Sequence, residues 1–242
     1  GRGAACSTCW GCSLQCAGLR RPPQRLQPGL QRGRLTPSLA STTNFSRPRS
    51  SGLIALNLDE GDTLIGAAIT DGSAEVMLFS SAGKAVRFQE EQVRPMSRTA
   101  RGVRGIKMPE GHHVVSLIIP QEGGVILTAS EHGYGKRTAI DEFPAYSRGS
   151  QGVIAMQCSE RNGNLVTALQ LFEGDQMMLI SDKGTLVRTR TDEVSVLSRN
   201  TQGVRLIRLA QEDERLVGVE RIAESDDEDE QAEAGEDSVM EN

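Results

Sequence analysis

The chain has 242 residues, of which 37% are hydrophobic, and is long enough to bury a core. No run of 18 apolar residues predicts a membrane-spanning helix. Only Cys158 of the five cysteines lies beyond residue 16, which excludes a body held by disulfides and favours a cytoplasmic protein without membrane association. The formal net charge of −5 conceals segregation, because residues 1–48 hold seven arginines and no acid, whereas residues 222–242 hold ten acids and no Lys or Arg.

Residues 6–16, "CSTCWGCSLQC", carry four cysteines at the spacing C-x2-C-x2-C-x3-C: Cys6, Cys9, Cys12 and Cys16. This spacing is typical of iron–sulfur ligation, and zinc suits it equally. Ferredoxin-type runs place Pro after the fourth Cys, whereas Ala17 follows here, and nothing downstream supplies a second cluster. We therefore expect an accidental run without a metal. A cluster-binding arm is the alternative.

The rest of residues 1–43 has no hydrophobic period. "LQPG" at 26–29 places Pro and Gly where the repeat described below has an apolar strand, at 76–79. We expect residues 1–43 to be a non-homologous, disordered segment of the kind that a frame-shifted reading produces. A genuine segment of the protein is the alternative. The chain lacks an initial Met and a signal-peptide core, which predicts a fragment of a longer protein.

From residue 44 the chain is a repeat. One set of glycines recurs at intervals of 50, 50 and 51 residues: Gly52, Gly102, Gly152 and Gly203. A second set of glycines and a set of arginines recur at 50 and 51: Gly83, Gly133 and Gly184, then Arg87, Arg137 and Arg188. The units are 44–97, 98–147 and 148–198, and residues 199–223 form the first half of a fourth.

Each unit predicts four short strands separated by Gly, Asp and Ser turns. A four-stranded unit with a period near 50 is typical of a propeller blade, which buries its faces by stacking on its neighbours. The apolar runs "EVMLF", "GVILTA" and "QMMLIS" predict the buried strands. The sequence therefore predicts an all-β, propeller-like fold of about three and a half blades over residues 44–223.

The repeat shows no pattern typical of an active site. His112, His113 and His132 form no ligand pattern with nearby acids. "GYGKRT" lacks the spacing of a phosphate loop and lies in a β repeat. The acids of "DEGD" at 59–62 do not recur in the equivalent turns, which favours a hairpin turn over a cation site. We expect no catalytic residue, metal or cofactor in this chain.

Several strings together resemble one protein family. "GVRGIKM", "ILTASEHGYGKRTAIDEFP", "GTLVRTR" and "RNTQGVRLIR" resemble the C-terminal domain of bacterial DNA gyrase A subunits, over about residues 44–223. The resemblance implies a six-bladed β-pinwheel, a propeller relative that exchanges strands between blades and wraps duplex DNA around its rim. It implies as partners the gyrase A N-terminal domains and the gyrase B subunit, in an A2B2 complex. That complex is a type II topoisomerase, an isomerase whose other domains use ATP and Mg²⁺ to introduce negative supercoils.

Two departures limit the resemblance. The family's first blade carries a Q-R-R-G-G-x-G heptapeptide needed for wrapping, and this chain does not contain it. The family's catalytic tyrosine and metal-binding carboxylates belong to other domains, and Tyr134 and Tyr146 match blade positions rather than the nucleophile. Two alternatives stay open: a propeller scaffold that binds proteins without DNA, and the C-terminal domain of the topoisomerase IV homologue.

Cations recur at matching places in successive units, and the resemblance makes them candidate phosphate contacts. The candidate DNA-binding residues are Arg87, Arg98, Arg101, Arg104, Lys107, Lys136, Arg137, Arg148, Arg188, Arg190 and Arg199. Without the resemblance, one arginine per blade is more typical of a strand-end surface charge or an inter-blade pair. The low aromatic content of 3% argues against stacking of single strands.

Residues 224–242 form an acidic tail that we expect to stay disordered, because it cannot bury apolar surface. Its simplest role is solubility. The alternative is that it competes with DNA for the basic rim as a tethered polyanion.

Overall fold

The computed structural model describes residues 25–30, 34–35, 38–39, 57–96, 102–211 and 213–223, with backbone alone for the first three ranges. These residues form sixteen β-strands and three short 3-10 turns, at Glu90–Gln92, Ile140–Glu142 and Thr191–Glu193. No helix among them is long and apolar enough to span a membrane. The four N-terminal cysteines and the acidic tail lie outside the described residues.

In chain order the strands are β1 (Arg25–Leu30), β2 (Arg34–Leu35), β3 (Ser38–Leu39), β4 (Leu64–Thr70), β5 (Glu75–Ser80), β6 (Lys84–Gln89), β7 (Val103–Arg104), β8 (Val114–Ile118), β9 (Val125–Ser130), β10 (Tyr134–Ala139), β11 (Val153–Ile154), β12 (Leu165–Leu171), β13 (Gln176–Ser181), β14 (Leu186–Arg190), β15 (Val204–Arg205) and β16 (Leu216–Ile222). They form four antiparallel sheets. In order across each sheet these are β4-β1-β2-β7, with β3 also on β1; β8-β5-β6-β11; β12-β9-β10-β15; and β16-β13-β14.

The second and third sheets are each assembled from three successive repeat units. The second sheet takes its central hairpin, β5 and β6, from unit 44–97, its inner strand β8 from unit 98–147, and its outer strand β11 from unit 148–198. The all-β, propeller-like prediction is confirmed. The assignment of strands to blades differs from one unit per blade, because among the described strands β7 and β8, β11 and β12, and β15 and β16 pair with the hairpins of earlier parts of the chain.

The structure describes three short strands within residues 1–43. Strand β1 pairs with β4 in register, with Leu26 opposite Ile69 and Gly29 opposite Gly66. It thereby occupies, 50 residues earlier, the central place that β5 has in the second sheet. A strand edge can be paired by any extended backbone, and Pro28 lacks just one donor. Strands β1, β2 and β3 fall within the predicted segment 1–43, whose other residues lie outside the described residues.

The core consists of three clusters, each between two neighbouring sheets. Val76 and Leu78 of β5 pack toward the first sheet, whereas Met77 and Phe79 of the same strand pack toward the third. Leu127 of β9 belongs to the cluster shared by the third and fourth sheets. Alternate residues of these central strands thus face opposite neighbours, which explains why their sequences are continuously apolar. The predicted buried strands are confirmed.

Contacts between sheets also show which strands lie inside. Strands β4, β8, β12 and β16 contact one another in succession. The opposite edges of the first three sheets are β7, β11 and β15, so these short strands lie at the perimeter. We call the surface formed by these outer strands the perimeter. Successive sheets place their outer strands on it in the same way.

Glycines make the exchange of outer strands possible. Gly83 lies in the β5–β6 turn at φ +73°, and its carbonyl accepts hydrogen bonds from the backbone N–H of Ala155 (2.8 Å) and Met156 (3.1 Å). A Cβ on Gly83 would lie 2.3 Å from the Met156 carbonyl oxygen. Gly152, at φ +66°, approaches the backbone of Ala85 as closely, because its Cβ would lie 2.0 Å from that carbonyl oxygen. The recurring glycines therefore mark backbone-to-backbone contact between units.

We predict that Gly83→Ala lowers the free energy of unfolding by about 3–5 kcal/mol, because it adds a backbone clash to left-handed strain. Gly111 is the matched control, since it has φ +80° but nothing within 4 Å of an added Cβ. Gly111→Ala should cost about 1 kcal/mol, the strain alone. Denaturant unfolding of both variants measures the difference, and equal losses would contradict the close-contact role of Gly83.

Candidate nucleic-acid interface

The perimeter strands carry exposed cations at equivalent positions. Arg104 on β7 and Arg205 on β15 are both exposed, and Ile154 takes the same place on β11. Three residues further along the chain, Lys107 and Arg208 are exposed as well. Among the described residues, the side chains of Arg104, Lys107 and Arg208 have no carboxylate within ion-pair distance. These cations are available to an anionic ligand that follows the perimeter.

Two predicted DNA contacts, Arg87 and Arg137, connect neighbouring sheets. Arg87 Nη1 donates to the carbonyl oxygens of Ile140 and Phe143, both at 3.1 Å, in the 3-10 turn of the following unit. Arg137 Nε donates to the Val194 carbonyl oxygen at 2.6 Å in the next equivalent turn. Their side chains are just 19% and 15% exposed. Arg87 also pairs with Glu75, which leaves little of its charge for a ligand.

Arg148 and Arg199 form a second recurring contact. Arg148 Nε donates to the Gln92 carbonyl oxygen at 3.2 Å, and its Nη1 donates to the Arg104 carbonyl oxygen at 2.6 Å. Arg199 repeats the pattern with the carbonyl oxygens of Glu142 (2.9 Å) and Ile154 (3.0 Å). Each half-buried guanidinium therefore joins a 3-10 turn to a perimeter strand. They hold the perimeter in place rather than projecting from it.

Lys136 is a buried cation in a cage of oxygens. Its side chain is 0% exposed. Its Nζ donates to the carbonyl oxygens of Ser198 (2.7 Å), Arg199 (2.5 Å) and Thr201 (3.3 Å), and to Thr201 Oγ1 (3.0 Å). Burial lowers the pKa of Lys136 to about 8, with a smaller contribution from the neighbouring Arg199 charge, whereas the Glu142 carboxylate opposes this shift. The side chain fastens the segment before β15 and has no access to a ligand.

The other candidates divide into exposed and undescribed residues. Arg188 and Arg190 on β14 are exposed, and Arg188 Nε donates to Gln176 Oε1 at 2.6 Å. Arg98 and Arg101 lie outside the described residues. The candidates predicted from the repeat therefore include residues that join units and residues that are exposed to solvent. The exposed ones among the described candidates are Arg104, Lys107, Arg188 and Arg190.

An arginine pair on the third sheet was missed by sequence reasoning. The ring of Tyr134 has the guanidinium carbon of Arg161 at 4.8 Å and that of Arg205 at 5.3 Å from its centroid. Arg205 Nη2 donates to Tyr134 Oη at 2.8 Å. Hydrogen bonding from Arg205, which is the larger effect, and from Arg161 lowers the pKa of Tyr134. The sequence feature that could have pointed to this site is a tyrosine in a chain with 3% aromatic residues.

Within the described ranges, no group of three His, Cys, Asp or Glu side chains could hold a metal ion. His112 Nδ1 lies 3.0 Å from Ser81 Oγ, and His132 Nδ1 lies 3.1 Å from the Arg161 carbonyl oxygen. The rings of His112 and His132 thus contact turns of the repeat.

Comparison with known proteins identifies the family. The model of the family described as DNA gyrase C-terminal domain, beta-propeller, matches residues 41–71, 74–121, 124–171 and 175–223. The chain belongs to the DNA gyrase C-terminal domain family. Each full segment of the family model begins at a central hairpin, such as β5 and β6, and ends with an inner strand, such as β8.

Relatives of the chain include DNA gyrase A subunits. The chain is 64% identical over 188 residues to the DNA gyrase A subunit of Pseudomonas aeruginosa, covering 76% of this chain and 20% of the relative. It is 54% identical over 187 residues to the DNA gyrase A subunit of Escherichia coli, covering 77% and 21%. The chain therefore spans about a fifth of the length of these relatives.

Solved structures show the same fold. A DNA gyrase A C-terminal domain superposes with a TM-score of 0.72 at 26% identity, covering 84% of this chain and 67% of that one. The C-terminal domain of a DNA topoisomerase IV superposes with a TM-score of 0.78 at 21% identity, covering 88% and 66%. The second likeness concerns the fold alone.

Lys136 predicts a pH dependence of stability. An unfolded lysine has a pKa of about 10.4, so between pH 8 and that value the unfolded chain binds more protons than the folded chain. Stability should rise with pH in this window, by up to about 1.4 kcal/mol per pH unit from this group. Lys136→Met should remove that rise and cost about 2–4 kcal/mol at pH 7, because the carbonyl oxygens lose their donor. Urea unfolding of both proteins at pH 7, 8 and 9 tests this, and parallel pH profiles would contradict it.

Proposed function

We propose that this chain is the DNA-binding part of a gyrase A protein and that duplex DNA runs along its perimeter strands. Family membership supports the proposal, and the observation that carries it is the set of exposed cations on β7 and β15 and just after them. Phosphate contacts require cationic groups at spacings that the backbone can follow, and they carry no base code. The ligand class is therefore duplex DNA of any sequence.

A curved perimeter would bend the duplex that follows it. Bending a site of 20–30 base pairs by 40–90° costs on the order of 1–6 kcal/mol, which further phosphate contacts offset. The perimeter needs to be rigid for this, because a surface that yields would not hold the bend. Arg87, Arg137, Arg148 and Arg199 supply that rigidity by joining units through carbonyl oxygens. Their contribution to wrapping is thus indirect.

The wider role follows from the relatives as a proposal. The chain would present wrapped DNA to the N-terminal domains of gyrase A and to gyrase B in an A2B2 complex in the cytoplasm. Strand cleavage, with ATP and Mg²⁺, would belong to those domains, and this chain would contribute the geometry of the DNA to negative supercoiling. The fragment itself would be non-catalytic.

A propeller that binds proteins is the competing function, and salt dependence separates the two. For six or more phosphate contacts, affinity for duplex DNA should fall on the order of 10³-fold or more between 50 and 200 mM salt. A protein-binding scaffold has no reason to bind duplex DNA at 50 mM salt.

We predict that the triple variant Arg104→Glu, Lys107→Glu, Arg208→Glu weakens duplex binding on the order of 10²-fold or more at 50 mM salt, equally for unrelated sequences. The slope of log K against log salt should fall in magnitude by about 2.7, which corresponds to three lost contacts. Fluorescence anisotropy with two unrelated 40-base-pair duplexes measures both quantities.

Lys183→Glu is the control, because Lys183 lies in the β13–β14 turn of the fourth sheet, outside β7 and β15, and its Nζ already pairs with Asp213 at 3.0 Å. It should change affinity little. A triple variant that binds as the unchanged chain does would place the DNA path elsewhere. An unchanged chain that fails to bind duplex at 50 mM salt would contradict the proposed function itself.

A further inference from the structure

The third sheet carries two arginines on one buried tyrosine. Tyr134 is 7% exposed and packs in the core between the second and third sheets, whereas Arg161 and Arg205 are exposed. Arg161 reaches the ring from the turn before β12, and Arg205 reaches it from β15, directly opposite Tyr134 in the ladder. One immobile ring therefore holds two guanidinium groups from different repeat units in one small patch.

No carboxylate neutralises this pair within the part of the chain that the structure describes. Arg161 Nη1 donates to the neutral Gln202 Oε1 at 3.3 Å, and Arg205 Nη2 donates to Tyr134 Oη. The nearby Glu131 carboxylate instead accepts from the backbone N–H of Asn164 at 3.0 Å. Two like charges held close together without a counter-ion repel each other, and an anion placed between them would relieve that repulsion.

Arg221 shows what a neutralised version of the same geometry looks like. Its guanidinium carbon lies 4.7 Å from the ring centroid of Phe172, as close as Arg161 lies to Tyr134. Its Nε and Nη2 donate to the two oxygens of Asp175 at 2.5 and 2.9 Å. Stacking an arginine on an aromatic ring therefore does not require an open charge in this fold. The pair on Tyr134 differs because no described acid pairs with it.

The pair occurs once in the described repeat. The residues equivalent to Tyr134 are Lys84 and Thr185, and the residue equivalent to Arg161 in the preceding unit is Gly111. At the position of Arg205, β11 has Ile154. A packing role common to all sheets would recur with the repeat, whereas among the described side chains a tyrosine with two arginines occurs on the third sheet alone.

We propose that Arg161, Arg205 and Tyr134 form a phosphate clamp that grips the duplex at one fixed point of the perimeter. The assignment rests on the proposed function, because β15 is part of the perimeter. Two guanidinium groups can donate in parallel to the oxygens of one phosphate, which gives stronger and better oriented contacts than a single cation. The other perimeter cations allow the duplex to slide, and the clamp fixes its register on the third sheet.

The test compares the unchanged 242-residue chain with R161Q/R205Q by duplex anisotropy across a salt series. The double variant should bind on the order of tenfold more weakly at 50 mM salt, with a salt slope smaller by up to about 1.8, from two lost phosphate contacts. R161K/R205K keeps both charges, so it should keep the slope while losing affinity. Tyr134→Phe keeps the ring but releases Arg205, so it should weaken binding less than R161Q/R205Q. Thermal unfolding shows whether each variant is folded.

Arg221→Gln is the matched control and should leave affinity and slope unchanged. If the chain binds duplex and R161Q/R205Q binds equally well with the same slope, the clamp is wrong and the perimeter proposal stands. If the unchanged chain does not bind duplex, both proposals fall. A last arm titrates inorganic phosphate against the bound duplex at constant ionic strength. Competition at millimolar phosphate in the unchanged chain, weaker in R161Q/R205Q, is expected because phosphate would occupy the pair that the duplex uses. Phosphate binding that requires the pair but does not displace the duplex would show a site for a small anion and overturn the assignment to DNA.

Discussion

The fold depends on one backbone contact, in which a hairpin glycine accepts hydrogen bonds from the two residues that follow an outer strand, two repeat units later in the chain. Gly83 does so for Ala155 and Met156, and Gly133 does so for Leu206 (2.8 Å) and Ile207 (3.3 Å). Neither contact tolerates a Cβ. Because the bonded strand comes from a distant unit, each sheet is tied to its neighbours by covalent chain as well as by packing. The perimeter strands can take their positions because these glycines have no side chain that would block the approach of the backbone.

The same contact divides the cations into two groups. Once the outer strand is admitted, long side chains near it can reach carbonyl oxygens of the adjoining 3-10 turns, and Arg87, Arg137, Arg148 and Arg199 do so. Other cations of the outer strands, such as Arg104, make no such hydrogen bond within the described residues and are exposed to solvent. A guanidinium that satisfies several carbonyls contributes more to folding than an exposed ion pair does. The repeat thus uses one residue type for two purposes.

Much of the architecture could be predicted from the sequence, because the 50-residue interval of Gly83 and Gly133 is a direct record of the fold. Strand exchange could not be derived from periodicity, since an interval of 50 is the same whichever unit donates the strand. Periodicity also left the roles of Arg87 and Arg137 ambiguous, because a contact that joins two units and a phosphate contact would both recur once per unit. Their recurrence opposite "IDEF" and "TDEV" was a usable signal, because those turns present the carbonyls. The clamp at Tyr134 was invisible to a search for repetition, since it occurs once.

Strand exchange has a consequence for the newly synthesised chain. The hairpin β5–β6 receives its outer partner when Val153 reaches Ala85, and β10 waits in the same way for Val204 to reach Gly135. At about 5–20 residues per second, a ribosome needs roughly 3–14 seconds to add the intervening residues. Throughout that interval the edge of β6 is an open template for any extended segment, including one from a neighbouring nascent chain. Polysomes, where many copies emerge close together, are therefore the setting in which this fold is most exposed to mispairing.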